Sequence, residues 1–212
     1  MVSRVSPRVA DPAVRTTLIE RAAGIIATEG PSALTLRRVA EDAGTSTMAI
    51  YTHFGGMAEL RRAVQGEGFV RLAAHLDAVA STGDPVADLT ALGSAYFTNA
   101  VTNPNLYRVM FMDHPVGLDD DEVSAGTFLS LVAGVRRCVD AGRFAPADPV
   151  DLATQLWALT HGIVTLHLAG FLTLDEAIEC LTNAALHMFA GFGTDRRAAR
   201  RSVSRARAAV RR

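Results

Sequence analysis

The chain has 212 residues, of which 49% are hydrophobic and 20% are charged. This balance is typical of a folded protein with a sizeable core and excludes a chain that is disordered throughout. No uninterrupted apolar run approaches the roughly 18 residues that a membrane-spanning helix needs. Residues 1–8 lack the apolar stretch of a secretory signal. We therefore expect a cytoplasmic protein.

The net charge of −1 conceals an uneven distribution of charge along the chain. Residues 1–71 carry nine Arg against seven acids, which gives +2. Residues 72–194 carry four Arg against fourteen acids, which gives −10, and residues 195–212 carry eight Arg against one Asp, which gives +7. Basic ends on an acidic body suggest that the ends meet an anionic partner. A merely solvated Arg-rich tail is the alternative.

The N-terminal part of the sequence predicts four helices, and no stretch of the chain alternates as a strand would. Asp11, followed by a proline, begins the first helix, and Gly30 ends it. A second short helix follows its cap, Thr35. A third short helix runs from a tight turn at residues 43–46 to about Phe54, and a Gly-Gly break separates it from a long fourth helix.

The rest of the sequence predicts a series of longer helices followed by an Arg-rich tail. The predicted helices cover residues 84–102, 104–112, 122–141, 148–169 and 174–191. Cys138 and Cys180 lie inside apolar helical patterns, so both are predicted to be small buried thiols. We expect three regions: a helix-turn-helix domain over 1–56, a helical domain over 57–193 and a flexible tail over 194–212. The tail is expected to add affinity for the anionic partner through its charge alone.

Residues 35–54 read TLRRVAEDAGTSTMAIYTHF, which is two short helices joined by a turn that contains glycine. In the second helix of the pair, Ile50 and Phe54 are predicted to face inward. Its outer side combines small side chains with hydroxyl groups and ring nitrogens, which suit phosphates and base edges. The side chains offered to a DNA groove are Ser46, Thr47, Met48, Tyr51, Thr52 and His53.

This part of the chain, over roughly residues 11–65, resembles the DNA-binding signature of the TetR (tetracycline repressor) family. The residues that carry the resemblance are Val39-Ala40, Ala43-Gly44-Thr45-Ser46, Ile50-Tyr51-Thr52-His53-Phe54 and Glu59-Leu60. The resemblance implies an all-α homodimer with an N-terminal three-helix DNA-binding domain and a C-terminal helical domain for ligand binding and dimerisation. It further implies a repressor of a palindromic double-stranded DNA operator, released by a small-molecule effector.

The resemblance also implies roles for individual residues of the helix-turn-helix. The position of Arg37 reaches a base, and the positions of Thr47, Met48 and Ala49 face the major groove. The phosphate contacts fall at Thr35, Tyr51 and His53. Many family members place a Lys just after the third helix, where this chain has Met57. Other interpretations stay open: Arg37 as a solvated side chain, Tyr51 as a half-buried core aromatic and His53 as an ordinary surface histidine.

The segment around Trp157, His161 and Gly162 resembles a C-terminal subgroup of TetR-like proteins. By this resemblance the last two long helices form the dimer interface, with Leu166, Ile178, Leu181, Ala185 and Phe189 as its members. A pocket for a hydrophobic or amphipathic effector is expected among aromatic and apolar side chains. Its expected lining is Tyr96, Tyr107, Met110, Phe111, Phe128, Trp157 and His161. Core packing without ligand contact is the alternative for each of them.

Other classes of protein find little support in the sequence. The six His residues show no metal-ligand spacing within one helix, and there is neither a phosphate-binding Gly-rich loop nor a nucleophile elbow. We therefore predict no enzyme activity, no metal and no cofactor. The acidic run at residues 119–122 is interpreted as charge that complements the start of the next helix. A DNA-binding architectural protein without an effector remains the alternative, as does activation in place of repression.

Overall fold

The structure is a computed structural model that describes residues 11–111 and 122–210. Over these residues the chain is built from α-helices and one short 3-10 helix, Pro31–Ala33, without any strand. In chain order the α-helices are α1 (Pro12–Glu29), α2 (Leu36–Asp42), α3 (Thr47–Phe54), α4 (Met57–Asp77), α5 (Pro85–Thr102), α6 (Pro104–Phe111), α7 (Glu122–Asp140), α8 (Pro149–Leu168), α9 (Leu174–Gly191) and α10 (Arg196–Val210). The predicted all-α fold is confirmed.

The helices begin where the sequence places capping side chains. The carboxylate of Asp11 accepts a hydrogen bond from the Ala13 backbone N–H at 2.9 Å, and the Thr35 hydroxyl accepts one from the Arg38 N–H at 3.2 Å. At the start of α9, Thr173 forms a full capping box with Glu176. Such caps satisfy N–H groups that have no partner inside the helix. The predicted helix starts are therefore correct to within about a residue.

The described residues divide into two compact units. The head unit comprises residues 11–68 and 105–111, and the body unit comprises residues 69–104 and 122–210. Helix α4 contributes its residues up to Gly68 to the head unit and its residues from Phe69 onward to the body unit. The boundary expected at residue 56 thus does not coincide with the division in the structure.

A single apolar core holds the head unit together. Ile50 and Phe54 of α3 are buried in it, as predicted, together with Leu18 of α1 and Leu60 of α4. Helix α6 adds Leu106 and Val109 to the same core. Two short helices bury too little surface to fold alone, so α1, α4 and α6 provide the surface against which α2 and α3 pack.

The body unit has its own apolar core, formed by α5, α7, α8, α9 and α10. Phe189 is 2% exposed in this core, and its ring lies 5.7 Å from that of Phe144. The prediction of Phe189 as a dimer-interface residue is therefore wrong, because its side chain is buried within one chain. Cys138 is buried as expected. Cys180 is exposed on α9, so the prediction that its thiol is buried is wrong.

The predicted flexible tail is instead helix α10, which corrects the third expected region. Ala199, Ser202, Val203 and Ala206 recur at helical spacing and are buried against the body unit. The Ser202 hydroxyl also donates a hydrogen bond to the carboxylate of Asp84 at the start of α5. Small apolar side chains and one buried hydrogen bond thus order a segment in which arginine is the most frequent residue.

Candidate functional site

The turn between α2 and α3 sets the direction of the third helix. Gly44 has φ of 64°, a conformation that glycine adopts without steric cost. The Thr45 backbone N–H then donates to the Ala40 carbonyl at 2.9 Å, which closes the end of α2. Gly55, with φ of 83°, ends α3 in the same way. The two helices and their turn form the helix-turn-helix that the sequence predicts.

Helix α3 presents a polar face to solvent. Met48 is 67% exposed and Tyr51 is 49% exposed, and Thr52 lies beside them with its hydroxyl donating to the Met48 carbonyl. Ser46 is the exposed N-cap, and its side chain makes no capping hydrogen bond. These side chains lie opposite buried Ile50, so α3 is anchored on one side and accessible on the other.

Three of the predicted DNA contacts lie deeper than the rest. Thr47 and His53 are half-buried, and the His53 ring lies 6.1 Å from the ring of Phe54. Ala49 is half-buried and packs against the head core. Met57, which occupies the place of the frequent family lysine, also packs against this core, so it serves stability where other members have a charge.

The two neighbouring arginines of α2 differ in their surroundings. The Arg37 side chain is 85% exposed and has one ion pair, to Glu41 on the same helix at 3.4 Å. Arg38 binds Glu29 at 2.9 Å and Asp42 at 3.1 Å, so it ties α2 to the end of α1. The hydrogen bond to Glu29 is the largest cause of the raised pKa of Arg38. Arg37 is therefore the arginine of the pair that can reach a partner, whereas Arg38 is held within the head unit.

Four of the predicted effector residues come together in the body unit. The Trp157 indole N–H donates to the Tyr96 hydroxyl at 3.3 Å, and that hydroxyl lies 3.3 Å from Nδ1 of His161. The Phe128 ring lies 6.1 Å from the Trp157 ring and nearly perpendicular to it. All four side chains are half-buried. We call this group the aromatic cluster.

Burial lowers the pKa of His161, because desolvation penalises the charged imidazolium. The neutral ring therefore prevails at neutral pH, with one nitrogen as donor and the other as acceptor. The aromatic cluster thus combines apolar ring surface with a hydrogen-bonding hydroxyl and imidazole. Such a combination suits a ligand that has both an apolar body and a polar group.

The other three predicted effector residues lie on α6 in the head unit. Tyr107 and Met110 are both 1% exposed, and the ring of Phe111 lies 5.0 Å from that of Tyr107. Met110 lies against Gly68 of α4 so closely that a Cβ at Gly68 would be 2.5 Å from its sulfur. These contacts show that the three side chains pack closely within the head unit.

An open groove of about 380 Å³ lies elsewhere in the body unit. Its walls come from the end of α4, one side of α5 and α10. Its polar lining includes His75, Asp88 and Arg205 together with serine and threonine hydroxyls, and alanines make up much of the remainder. None of the predicted effector residues lines this groove.

The remaining predicted dimer residues lie on α8 and α9. Leu166 is exposed, and Ile178 and Leu181 are half-buried. Ala185 is half-buried and packs against the core of the body unit. Sequence reasoning missed Phe171, which is 77% exposed in the turn between the two helices. The signal in the sequence that could have revealed it is a large apolar residue placed directly after Gly170, in a segment that separates two predicted helices.

Two family models match the chain. The model described as bacterial regulatory proteins, tetR family, matches residues 18–64. The model described as tetracyclin repressor-like, C-terminal domain, matches residues 89–189. A curated relative, an uncharacterized HTH-type transcriptional regulator of Mycobacterium tuberculosis, is 26% identical over 177 residues, which cover 84% of this chain and 80% of the relative.

Solved structures show the same fold. A protein of unknown function from Rhodococcus sp. RHA1 has a TM-score of 0.74 and 27% identity, and covers 89% of this chain and 100% of its own. RolR in complex with its ligand resorcinol has a TM-score of 0.59 and 19% identity, and covers 91% of this chain and 94% of its own. Together with the geometry of α2 and α3, these comparisons define a helix-turn-helix transcription regulator.

The chain belongs to the TetR family of bacterial regulatory proteins, which confirms the resemblance noted from residues 35–60. Members of this family are non-enzymatic DNA-binding proteins, so the family assignment agrees with the prediction that the chain is not an enzyme. In the described part of the chain, no helix has the length and apolar character needed to cross a membrane.

Proposed function

We propose that the protein is a homodimeric repressor that binds a palindromic operator through α3 and is released by a small hydrophobic or amphipathic effector. The observation that carries this proposal is the two-sided character of α3. Ile50 and Phe54 fix the helix to the head core, while Met48, Tyr51 and Thr52 stay accessible. A recognition helix needs this division, because it must reach base edges without losing its own packing.

The exposed residues of the head unit have distinct proposed roles on DNA. Arg37 reaches a base edge, since its side chain is almost fully exposed and an arginine pairs well with guanine. Tyr51 and His53 contact phosphates through their hydroxyl and imidazole groups. The further proposed contacts are Thr35, Ser46, Thr47, Met48, Ala49 and Thr52. Thr35 is exposed, and its hydroxyl already caps α2, so a phosphate would share that hydroxyl with the Arg38 N–H.

A homodimer explains how so small a recognition surface reads DNA specifically. Two symmetric heads read a palindrome in successive major grooves, about 34–36 Å apart. The proposed interface lies on α8 and α9, where Leu166, Phe171 and Leu174 are exposed apolar side chains within one chain. A second copy would cover this apolar surface, which favours association.

The aromatic cluster is the proposed effector site. Tyr96, Trp157 and His161 place a hydroxyl, an indole N–H and a neutral imidazole next to ring surface. The structural relative RolR has resorcinol as its ligand. For this chain we propose a small ligand that offers an aromatic or aliphatic body and a group that can hydrogen-bond.

The effector is proposed to release the repressor from its operator by shifting the balance between two dimer populations. The effector favours dimers whose recognition helices do not match the spacing of successive major grooves. Helix α4 is the proposed lever, because it is one continuous helix that contributes residues to both units. A disulfide that locks the two heads at operator spacing is expected to abolish the response to effector. Persistence of the response in the locked dimer would contradict this mechanism.

Selection from a random double-stranded DNA library tests the proposed function. The wild type is expected to enrich a palindrome, and Arg37→Ala and Tyr51→Phe are expected to lose or blur it. Arg136→Ala is the matched control, since it removes one exposed arginine from α7 and changes no residue of the head unit. Enrichment of no sequence, with binding that disappears as salt rises, would favour the architectural protein instead.

The effector half of the proposal has its own measurement. Trp157 is the only tryptophan of the chain, so its fluorescence reports on the aromatic cluster alone. A small-molecule screen is expected to yield compounds that change this fluorescence and weaken operator binding, and Tyr96→Phe is expected to reduce both effects. Compounds that weaken operator binding in wild type and Tyr96→Phe equally would place the effector site elsewhere.

A further inference from the structure

We infer that α10 is a second DNA-contacting surface, which binds the phosphate backbone of duplex DNA without regard to sequence. The juxtaposition that carries this inference is a helix that is anchored on one face and presents exposed arginines on the other. It concerns the body unit alone and does not depend on the operator or the effector proposed above.

The anchored face of α10 is well defined. Ala199, Ser202, Val203 and Ala206 are all at most 5% exposed. Asp84 fixes the helix further, because its carboxylate accepts a hydrogen bond from the Ser202 hydroxyl at 2.8 Å and forms an ion pair with Arg205 at 3.0 Å. The direction of the opposite face is therefore set by packing before any partner binds.

The opposite face consists almost entirely of arginine. Arg196, Arg197, Arg200, Arg201 and Arg207 are exposed, and none of the five pairs with a carboxylate among residues 11–111 and 122–210. At about 100° per residue, Arg196, Arg200 and Arg207 line one flank of this face, and Arg197 and Arg201 line the other. We call these five side chains the arginine face.

The arginine face works against the stability of its own helix. Arg196 and Arg200 are four residues apart, as are Arg197 and Arg201, and like charges at this spacing repel. Arg196 and Arg197 also lie in the first turn, where the helix dipole is positive. Asp195 supplies one acid before this turn, and its carboxylate caps the helix by accepting a hydrogen bond from the Ala198 backbone N–H at 2.9 Å. The five arginines outnumber this single acid, so the arrangement points to an anionic partner that relieves the repulsion.

The chemistry of the face favours a row of phosphates over other anions. Guanidinium groups bind phosphate oxygens in a bidentate manner, and the chain contains arginine but no lysine. From Arg196 to Arg207 the helix rises about 16 Å, which corresponds to roughly five base-pair steps of DNA. A membrane surface suits the face less well, because over residues 196–207 its exposed side carries no large apolar side chain to insert.

The test compares the full chain with two quintuple variants on a random-sequence duplex at several salt concentrations. One variant replaces the arginine face with Gln, and the matched control replaces it with Lys, which keeps the charge. If all five arginines contact phosphates, the magnitude of the slope of log K against log salt falls by about 4.5 units per chain in the Gln variant. The Lys control is expected to keep most of that slope. The head unit is identical in all three proteins, so the difference in slope belongs to α10.

Each outcome of this test decides the inference. A slope reduced by at least one unit per chain with Gln and kept with Lys supports it, whether or not a palindromic operator is found. A smaller change in slope overturns it. Loss of binding to anionic phospholipid vesicles with the DNA slope unchanged would overturn it in favour of a membrane surface. The double variant Arg200→Gln/Arg207→Gln, expected to lose about two units of slope per chain, serves if the quintuple variant does not fold.

Discussion

Asp84 and Ser202 are 118 residues apart in sequence and joined by a buried hydrogen bond. The Ser202 hydroxyl lies 2.8 Å and 3.0 Å from the two carboxylate oxygens of Asp84, while Arg143 and Arg205 approach the same carboxylate at 3.0 Å. Asp84 also caps α5 through the Ala87 backbone N–H. One carboxylate thus joins the start of α5, the loop that follows α7 and the middle of α10.

The Asp84→Asn variant is expected to destabilise the protein at neutral pH. Asparagine still caps a helix, but it leaves Arg143 and Arg205 without their charged partner. Because both arginines keep contact with water, we expect a loss of about 2–3 kcal/mol in the free energy of unfolding, less than for a fully buried pair. Urea denaturation measures this loss, with Asp77→Asn as the control for an exposed aspartate on α4. Equal stability of Asp84→Asn and wild type would contradict the structural role of this carboxylate.

Acidification is expected to narrow the difference between wild type and Asp84→Asn. Burial by itself raises the pKa of Asp84, but the hydrogen bonds from Ser202, the Ala87 backbone and Arg143 together outweigh it and lower that pKa. A carboxylate with a lowered pKa stabilises the fold fully above its unfolded pKa, near 4. This contribution is lost as the pH falls through the folded value. The urea midpoints of wild type and Asp84→Asn, measured from pH 7 downward, are expected to converge only below about pH 4. A difference between the two midpoints that does not change with pH would show that the ionised carboxylate of Asp84 is not its cause.

Gly66 and Gly68 of α4 are expected to respond oppositely to alanine. No atom would lie within 4 Å of a Cβ at Gly66, so Gly66→Ala is expected to stabilise the helix by about 0.5–1 kcal/mol. A Cβ at Gly68 would lie 2.5 Å from the Met110 sulfur and 2.6 Å from its Cγ, and Met110 is itself buried. Gly68→Ala is therefore expected to cost about 1–2 kcal/mol through overpacking. Thermal denaturation of both variants checks the pair, and a stabilising Gly68→Ala would show that Met110 moves freely.

The two arginines of α2 offer a test that separates DNA contact from head-unit stability. Arg37→Ala is expected to weaken operator binding by about tenfold to a hundredfold if the side chain reaches a base edge. Its melting temperature is expected to stay near that of wild type, since its one ion pair is exposed. Arg38→Ala is expected to lower the melting temperature, because it removes the contacts to Glu29 and Asp42. Fluorescence anisotropy measures operator binding by both variants, and thermal denaturation measures their stability. Weaker operator binding only in Arg38→Ala, with a lower melting temperature only in Arg37→Ala, would contradict these two assignments.

Much of the fold follows from local signals in the sequence. Caps such as Asp11, Thr35 and Asp84, and breakers such as Gly30, gave helix bounds that agree with the structure to within about a residue. The division of α3 into an inner and an outer side was also predictable, because Ile50 and Phe54 are its large apolar side chains at helical spacing. These features depend on residues close to one another in the chain.

The misplaced features depend on tertiary contacts. Helix α10 packs through Ala199, Ser202 and Ala206, whose small side chains give a weak hydrophobic pattern against so many arginines. Phe189 follows the same apolar pattern as its neighbours on α9, and only packing against Phe144 shows which side of α9 is inside. Spacing identifies a face of a helix but not the surface that it meets.

Cys180 is a chemical probe of the exposed side of α9, and the buried Cys138 is its internal reference. Cys138 is fully buried, and burial raises its pKa to about 12, so the reactive thiolate is scarce at neutral pH. Cys180 is exposed on α9, beside Ile178 and Leu181 in sequence. Native protein is expected to react with maleimide at one thiol per chain, at Cys180, whereas denatured protein reacts at both. Peptide mapping identifies the labelled site.

Dimerisation through α8 and α9 is expected to slow the labelling of Cys180 as protein concentration rises through the monomer–dimer transition. The transition itself is followed by analytical ultracentrifugation on the same samples. The Leu166→Glu variant is expected to shift the transition to higher concentration and to restore fast labelling, since it places a charge within the proposed apolar contact. A dimer whose Cys180 reacts as fast as that of the monomer would place the interface away from this side of α9.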